Sequence, residues 1–199
     1  MRRIKQAFLT GILLINIACA GDSQVEISME NTPYFDLKGL LNQQITLLDS
    51  LNPEVEIQAL IGSEQAHEVM HKDSADWAET LELYADADLN KPVLRDQYLI
   101  QDSILAGSDL QVRIYRAKQP EGVDIPFMKV YYENDISRVR RVETFFRENN
   151  PLYSTQRSMA LHFGSEDGLL RLMSYSTSGK QKMIFRDSVL YKTDASIRY

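Results

Sequence analysis

QYLIQDSILAGSDLQVRIYRAK (97–118) and IPFMKVYYENDISRVRRVETFFRE (125–148) share one pattern. Apolar and polar residues alternate, β-branched and aromatic side chains are frequent, and turn-forming residues interrupt them at short intervals. The pattern continues from Gln97 to Lys192 and reads as seven consecutive strands, near 97–105, 110–118, 125–133, 136–148, 152–163, 168–177 and 180–192. Gly107-Ser108-Asp109, Pro120-Glu121-Gly122, Glu133-Asn134-Asp135, Asn149-Asn150-Pro151, Gly164 to Gly168, and Ser178-Gly179 mark the turns between them. Links this short join neighbouring antiparallel strands, because a parallel pair needs a long crossover.

Upstream, the period changes. Leu37, Leu40, Leu41, Ile45, Leu48 and Leu51 recur at three- and four-residue steps, the apolar stripe of a helix started by Thr32-Pro33 and ended by Asn52-Pro53. Val55, Ile57, Ala59 and Ile61 alternate, so Glu54 to Ile61 reads as a strand, with Ala66 to Lys72 returning beside it across Gly62-Ser63. Asp73 or Ser74 then caps a second helix with Trp77, Leu81 and Tyr84 on its buried face, and Asn90-Lys91-Pro92 stops it. At 199 residues the chain suits one well-filled domain. The expected fold is α+β over residues 32–199: a strongly twisted antiparallel meander or half-open barrel of about seven to nine strands. Two helices and a hairpin from the N-terminal half would cover it.

Charge is unevenly spread. Residues 20–110 hold 18 acids and 4 bases, whereas residues 111–199 hold 10 acids and 15 bases. The acidic part repels phosphates and argues against nucleic acid as a partner. Complementary charge instead suits acidic covering elements on a mildly basic sheet. The single cysteine, Cys19, excludes an intramolecular disulfide and a cysteine-rich zinc site.

Residues 1–20 have the three parts of an export signal. Arg2, Arg3 and Lys5 give a basic start, Ala7 to Ile17 is an apolar run, and Ala18 and Ala20 flank Cys19. The run is too short to span a bilayer, which takes roughly 20 residues. Ile17-Ala18-Cys19 resembles the lipobox of bacterial lipoproteins, with Asn16 where that family prefers leucine. The resemblance implies that Cys19 is acylated, anchoring the chain to the outer membrane of a Gram-negative envelope, facing the periplasm. Cleavage after Ala18-Cys19-Ala20 is the alternative, giving a soluble periplasmic protein. Gly21 to Asn31 is polar and reads as a tether.

His67-Glu68-Val69-Met70-His71 matches H-E-x-x-H. In zinc peptidases the two histidines lie one helical turn apart and share the metal, and the glutamate is general base. A zinc-dependent hydrolase with His67 and His71 as ligands and Glu68 as base is therefore an alternative reading. Against it, this short segment pairs naturally as a strand, Ser74 and Trp77 stand where extended motifs require glycine and histidine, and the next histidine is His162. Asp86-Ala87-Asp88-Leu89-Asn90 offers alternating oxygens but lacks the glycine and distal glutamate of a calcium loop, so a solvated helix end is expected. Arg138, Arg140 and Arg141 form the densest basic cluster, with Arg138 and Arg140 on one strand face. His162 is expected to be a satisfied strand histidine. No nucleophile elbow or phosphate loop is present.

Several strands are apolar on both faces. Phe127 and Tyr131 oppose Met128, Val130 and Tyr132, and Met183, Phe185, Val189 and Tyr191 oppose Ile184 and Leu190. Either the sheet curls over its own second face, or that face is a site for an apolar guest. Tyr34-Phe35-Asp36-Leu37-Lys38-Gly39, and Asp76-Trp77 through Asp88-Leu89-Asn90-Lys91-Pro92, resemble uncharacterised outer-membrane lipoproteins of Gram-negative bacteria. In architecture alone, a half-open barrel with covering helices is similar to the lipoprotein carriers LolA and LolB. The resulting expectation is a non-enzymatic envelope lipoprotein without a cofactor, binding a lipid, an acyl chain or an envelope protein on its sheet. A zinc hydrolase and a structural or assembly subunit are the alternatives.

Overall fold

The structure, a computed structural model, describes residues 33–199. The signal, Cys19, the tether and Thr32 lie outside the described residues. One nine-stranded open antiparallel sheet forms the body, made of β1 (Glu54–Ile61), β2 (Glu64–His71), β3 (Tyr98–Ile104), β4 (Gln111–Ala117), β5 (Phe127–Tyr132), β6 (Val139–Asn149), β7 (Tyr153–Glu166), β8 (Leu169–Met183) and β9 (Val189–Arg198). The order is β2-β1-β9-β8-β7-β6-β5-β4-β3, so the seven strands from β3 to β9 form an uninterrupted meander. The N-terminal hairpin does not cover the sheet as anticipated. It lengthens it, with Val55 opposite Ile197 and Ile57 opposite Ala195, so the apolar face of β1 continues that of β9. The sheet stays open, with β2 and β3 at its edges.

Helices α1 (Leu37–Leu51) and α2 (Ser74–Ala85) pack on one face. The cap of α1 is Asp36 rather than Thr32-Pro33: its carboxylate accepts the Gly39 N–H at 2.8 Å. Gly39 leaves room for that carboxylate, which a Cβ would meet at 2.1 Å. Asn52 closes the helix in the left-handed region (φ 46°), and its N–H donates to the Leu48 carbonyl. Asp73 and Asp76 form a reciprocal capping box on α2. Trp77 and Tyr84 meet Tyr175 of β8 edge-on, at centroid distances of 6.4 and 6.0 Å.

β8 and β9 depart from the expected boundaries. Ser178-Gly179 is not a turn but the middle of β8, and the chain reverses at residues 184–188 instead. A Cβ at Gly179 would come within 2.3 Å of the Gln156 carbonyl oxygen and 2.5 Å of the Tyr191 hydroxyl. Glycine is there for close cross-strand approach. The alternation read at Met183 to Leu190 is therefore largely a hairpin tip rather than a two-sided strand.

One buried polar side chain joins helix to sheet. β8 pairs with β9 only over Ser174–Gln181, so its first residues lack a neighbour on that side. Gln44 of α1 fills the gap: its Nε2 donates to the Leu170 carbonyl at 3.0 Å and its Oε1 accepts the Leu172 N–H at 2.8 Å. The Tyr199 hydroxyl donates to the Leu172 carbonyl at 2.7 Å. Gln44 is 3% exposed, so no water replaces its amide.

Two stability measurements follow from this core. Gln44→Leu strands the Leu170 carbonyl and the Leu172 amide, and should lower unfolding free energy by roughly 2–5 kcal/mol in denaturant titration. Gln43→Leu, on the exposed face of the same helix, should change it by less than about 0.5 kcal/mol. Burial raises the pKa of Tyr84 and Tyr98 above the ordinary tyrosine value and pushes Tyr115 and Tyr175 up to about 12. A raised folded-state pKa stabilises the fold below the unfolded value of about 10, and that stability is lost as pH rises through the folded value. Equilibrium unfolding should therefore show stability falling above about pH 10, by roughly 1.4 kcal/mol per pH unit for each buried tyrosine.

Candidate functional site

The H-E-x-x-H residues lie on β2, an edge strand, and not on a helix. Strand alternation sends His67 and His71 to one face and Glu68 to the other. Residues four apart on a strand are roughly 13 Å apart, too far to share one metal ion. His67 Nε2 sits 3.1 Å from Glu56 Oε1, and His71 Nδ1 donates to the Asn52 carbonyl at 3.0 Å. Among the described residues, no three His, Cys, Asp or Glu side chains are grouped to hold a metal. The general base would point away from its own metal ligands, so the zinc-hydrolase arrangement lacks its geometry here.

The remaining constellations are structural. Arg138 precedes β6, and Arg140 lies at the irregular β5–β6 register, so the two do not share a regular strand face. Both converge on Glu133: Arg140 binds it through two hydrogen bonds of 2.9 and 2.8 Å, and Arg138 approaches to 3.6 Å. The hydrogen bonds from Arg140, with the charges of Arg140 and Arg138, hold the Glu133 carboxyl below its usual range. Arg141 pairs with Glu143 at 3.2 Å. Residues 86–90 are a latch rather than a solvated helix end. The Asp88 carboxylate accepts the Lys38 and Asn90 N–H groups at 2.8 and 2.6 Å, and the Asn90 side chain bonds the backbone of Tyr34 and Phe35. The latch ties the entry of α1 to the exit of α2 and leaves Asp88 committed to backbone. Partial burial and neighbouring Arg141 keep His162 below the ordinary imidazole pKa, hence neutral at pH 7.

The face away from the helices is where sequence reasoning placed a guest. The protein's own side chains pave it. Phe127 stacks on Phe145 at 6.0 Å, and Arg141 lies 4.0 Å from the Tyr131 ring centroid, whose hydroxyl donates to Glu143. Val112 and Tyr131 are buried on this face. Across β7 and β8 it carries small residues, Ser158, Ala160, Ser174, Ser176 and Ser178.

The larger of two clefts among the described residues is on the helix side, beside the last turn of α2; the other, of about 360 Å³, lies on the opposite face against Gln58, Leu60, His67 and Lys192. The larger cleft, of about 480 Å³, lies between the start of β7, the end of β8, the start of β9 and the end of β1. Its size falls within the range of small-molecule sites, roughly 300–1,000 Å³. Ile61, Leu83 and Val189 give it apolar walls; Thr155, Arg157 and Gln181 give it a polar floor. The Arg157 guanidinium carbon lies over Phe146, 4.1 Å from the ring centroid. Its Nε is buried without a hydrogen-bond partner, and no carboxylate reaches ion-pair distance of it among the described residues. Glu148 lines the same cleft but is held by the Tyr153 hydroxyl. That bond raises the Tyr153 pKa, so the phenol stays protonated at neutral pH. An unpaired, partly desolvated guanidinium between apolar walls suits an anionic group carried on an apolar body.

Sequence reasoning missed Arg157 although a signal existed. It shares strand parity with Met159, Leu161 and Phe163, and so belongs to the apolar face of β7. The chain matches no protein-family model, no curated protein and no solved structure.

Proposed function

We propose that the chain is a non-enzymatic cell-envelope lipoprotein, anchored through Cys19 and binding an anionic amphiphile, a lipid or an acyl chain, on its sheet. One observation carries the binding reading: the Arg157 guanidinium on the floor of an apolar-walled cleft, its Nε buried without a hydrogen-bond partner among the described residues. A buried or half-buried charge is normally paired within the fold, because an unpaired one costs several kcal/mol. Here Glu148, the carboxylate that lines the same cleft, is engaged by Tyr153 instead. The head of the guest would meet Arg157 and the hydroxyls near it, and its apolar tail would lie along Ile61, Leu83 and Val189. The export signal and the lipobox-like Ile17-Ala18-Cys19 support the envelope setting.

Titration with cis-parinaric acid, a fluorescent fatty acid with a free carboxylate, tests this reading. Wild-type protein should bind it saturably at one site. Arg157→Gln should weaken binding roughly tenfold to a hundredfold, since a charge-assisted hydrogen bond is worth about 1.5–3 kcal/mol. Arg157→Lys should fall between the two. Absence of saturable binding by the wild type, or equal affinity in the glutamine variant, would overturn the proposal.

A further inference from the structure

The two ends of the sheet differ in chemistry. At one end the β3–β4, β5–β6 and β7–β8 turns carry Asp109, Glu133, Asp135 and Asp167. At the other, the β1–β2, β6–β7 and β8–β9 turns lie side by side. The Ile184 N–H donates to the Leu152 carbonyl, and the Gly62 N–H to the Leu190 carbonyl, each at 2.8 Å. These three adjoining tips expose Ile61, Leu152, Met183, Ile184, Phe185 and Leu190.

Phe185 is the extreme case. It is 98% exposed, and its φ of 59° is a left-handed conformation that glycine or asparagine adopts at far lower cost. Folding gains nothing from an aromatic ring at this position, so its presence points outward from the fold. Scattered surface hydrophobics need no explanation, but six gathered on neighbouring turns form a patch that marks a contact surface. The patch projects as hairpin tips rather than presenting a flat face. Lys180, Lys182 and Arg186, on β8 and the turn that follows it, lie beside it, exposed and without an ion pair among the described residues, against two carboxylates, Asp187 of the same turn and Glu64 opposite Ile61.

We propose that this three-turn tip docks on an anionic lipid surface. Phe185, Ile184 and Leu152 enter the interface between headgroups and acyl chains, while Lys180, Lys182 and Arg186 lie at the headgroups. Three cations beside apolar turn tips match the chemistry of such a surface: negative charge outside, hydrocarbon beneath. A tip of this kind orients the body on the membrane, with the end bearing Asp109 and Asp167 turned away from it.

The test uses the full chain with Phe185→Trp, bound to vesicles of phosphatidylcholine and phosphatidylglycerol brominated on their acyl chains. The natural Trp77 is fully buried and serves as an internal reference. Expected results are a blue-shifted emission from the introduced tryptophan and strong quenching by the brominated chains. Asp109→Trp, at the opposite end, should remain unquenched even though the same anchor holds the protein. Adding Lys180→Gln, Lys182→Gln and Arg186→Gln to the Phe185→Trp chain should reduce the inserted population roughly a hundredfold. Water-like, unquenched emission from position 185 on these vesicles would overturn the proposal. So would a blue shift produced by protein concentration alone, which would make the tip an interface between copies of the chain.

Discussion

β8 is longer than the partner beside it, and the backbone this leaves unpaired fixes where the helices sit. Strand backbone in a dry interior must find donors and acceptors, and β9 does not extend far enough to supply them to Leu170 and Leu172. Gln44 does, with both ends of one amide acting as a substitute strand. Because those bonds are directional, α1 cannot slide along the sheet without breaking them. The latch from Asp88 and Asn90 to the entry of α1 then carries the constraint to the end of α2. The helix layer is thereby located by polar contacts and stabilised by apolar ones, with Trp77, Leu81 and Leu48 fully buried beneath it.

That placement has a consequence at the other end of the face. Two helices are too few to roof nine strands, and pinning them over Leu172 and Tyr175 leaves the start of β7 and the end of β8 uncovered. The residues exposed there are not a conventional solvated surface. Arg157 lies on Phe146 with a buried nitrogen that has no hydrogen-bond partner among the described residues, and Ile61 and Val189 wall the cleft. The cleft and the apolar hairpin tips adjoin, sharing Ile61, so a guest and a membrane would be met from the same end of the molecule.

Much of the architecture was legible because it is periodic. Period-two alternation from Tyr98 onward and the three- and four-residue leucine steps of α1 identified the meander and a helix without tertiary information. The misreadings have specific physical causes. Ser178-Gly179 carries the composition of a turn, yet its glycine serves close approach by Tyr191, a demand set by a neighbouring strand. The apolar stretch ending at Leu190 reads as a buried strand, since composition cannot tell a core segment from an exposed tip. The hairpin of β1 and β2 was visible, but its pairing with β9 joins residues more than a hundred positions apart. The site was less legible than the fold. His67 to His71 draws attention by motif, while the strand that carries it separates its parts. Arg157 draws none, although its parity with Met159 and Leu161 places it on the apolar face.

The central claim is that the cleft over Arg157, on the helix side of the sheet, holds a guest rather than empty solvent. Native mass spectrometry of the protein purified from the cells that produce it tests this most directly. The account predicts a population heavier than the bare chain by one anionic amphiphile, which is displaced when cis-parinaric acid is added in excess. A single species at the mass of the unliganded chain, unchanged by added fatty acid, would contradict it.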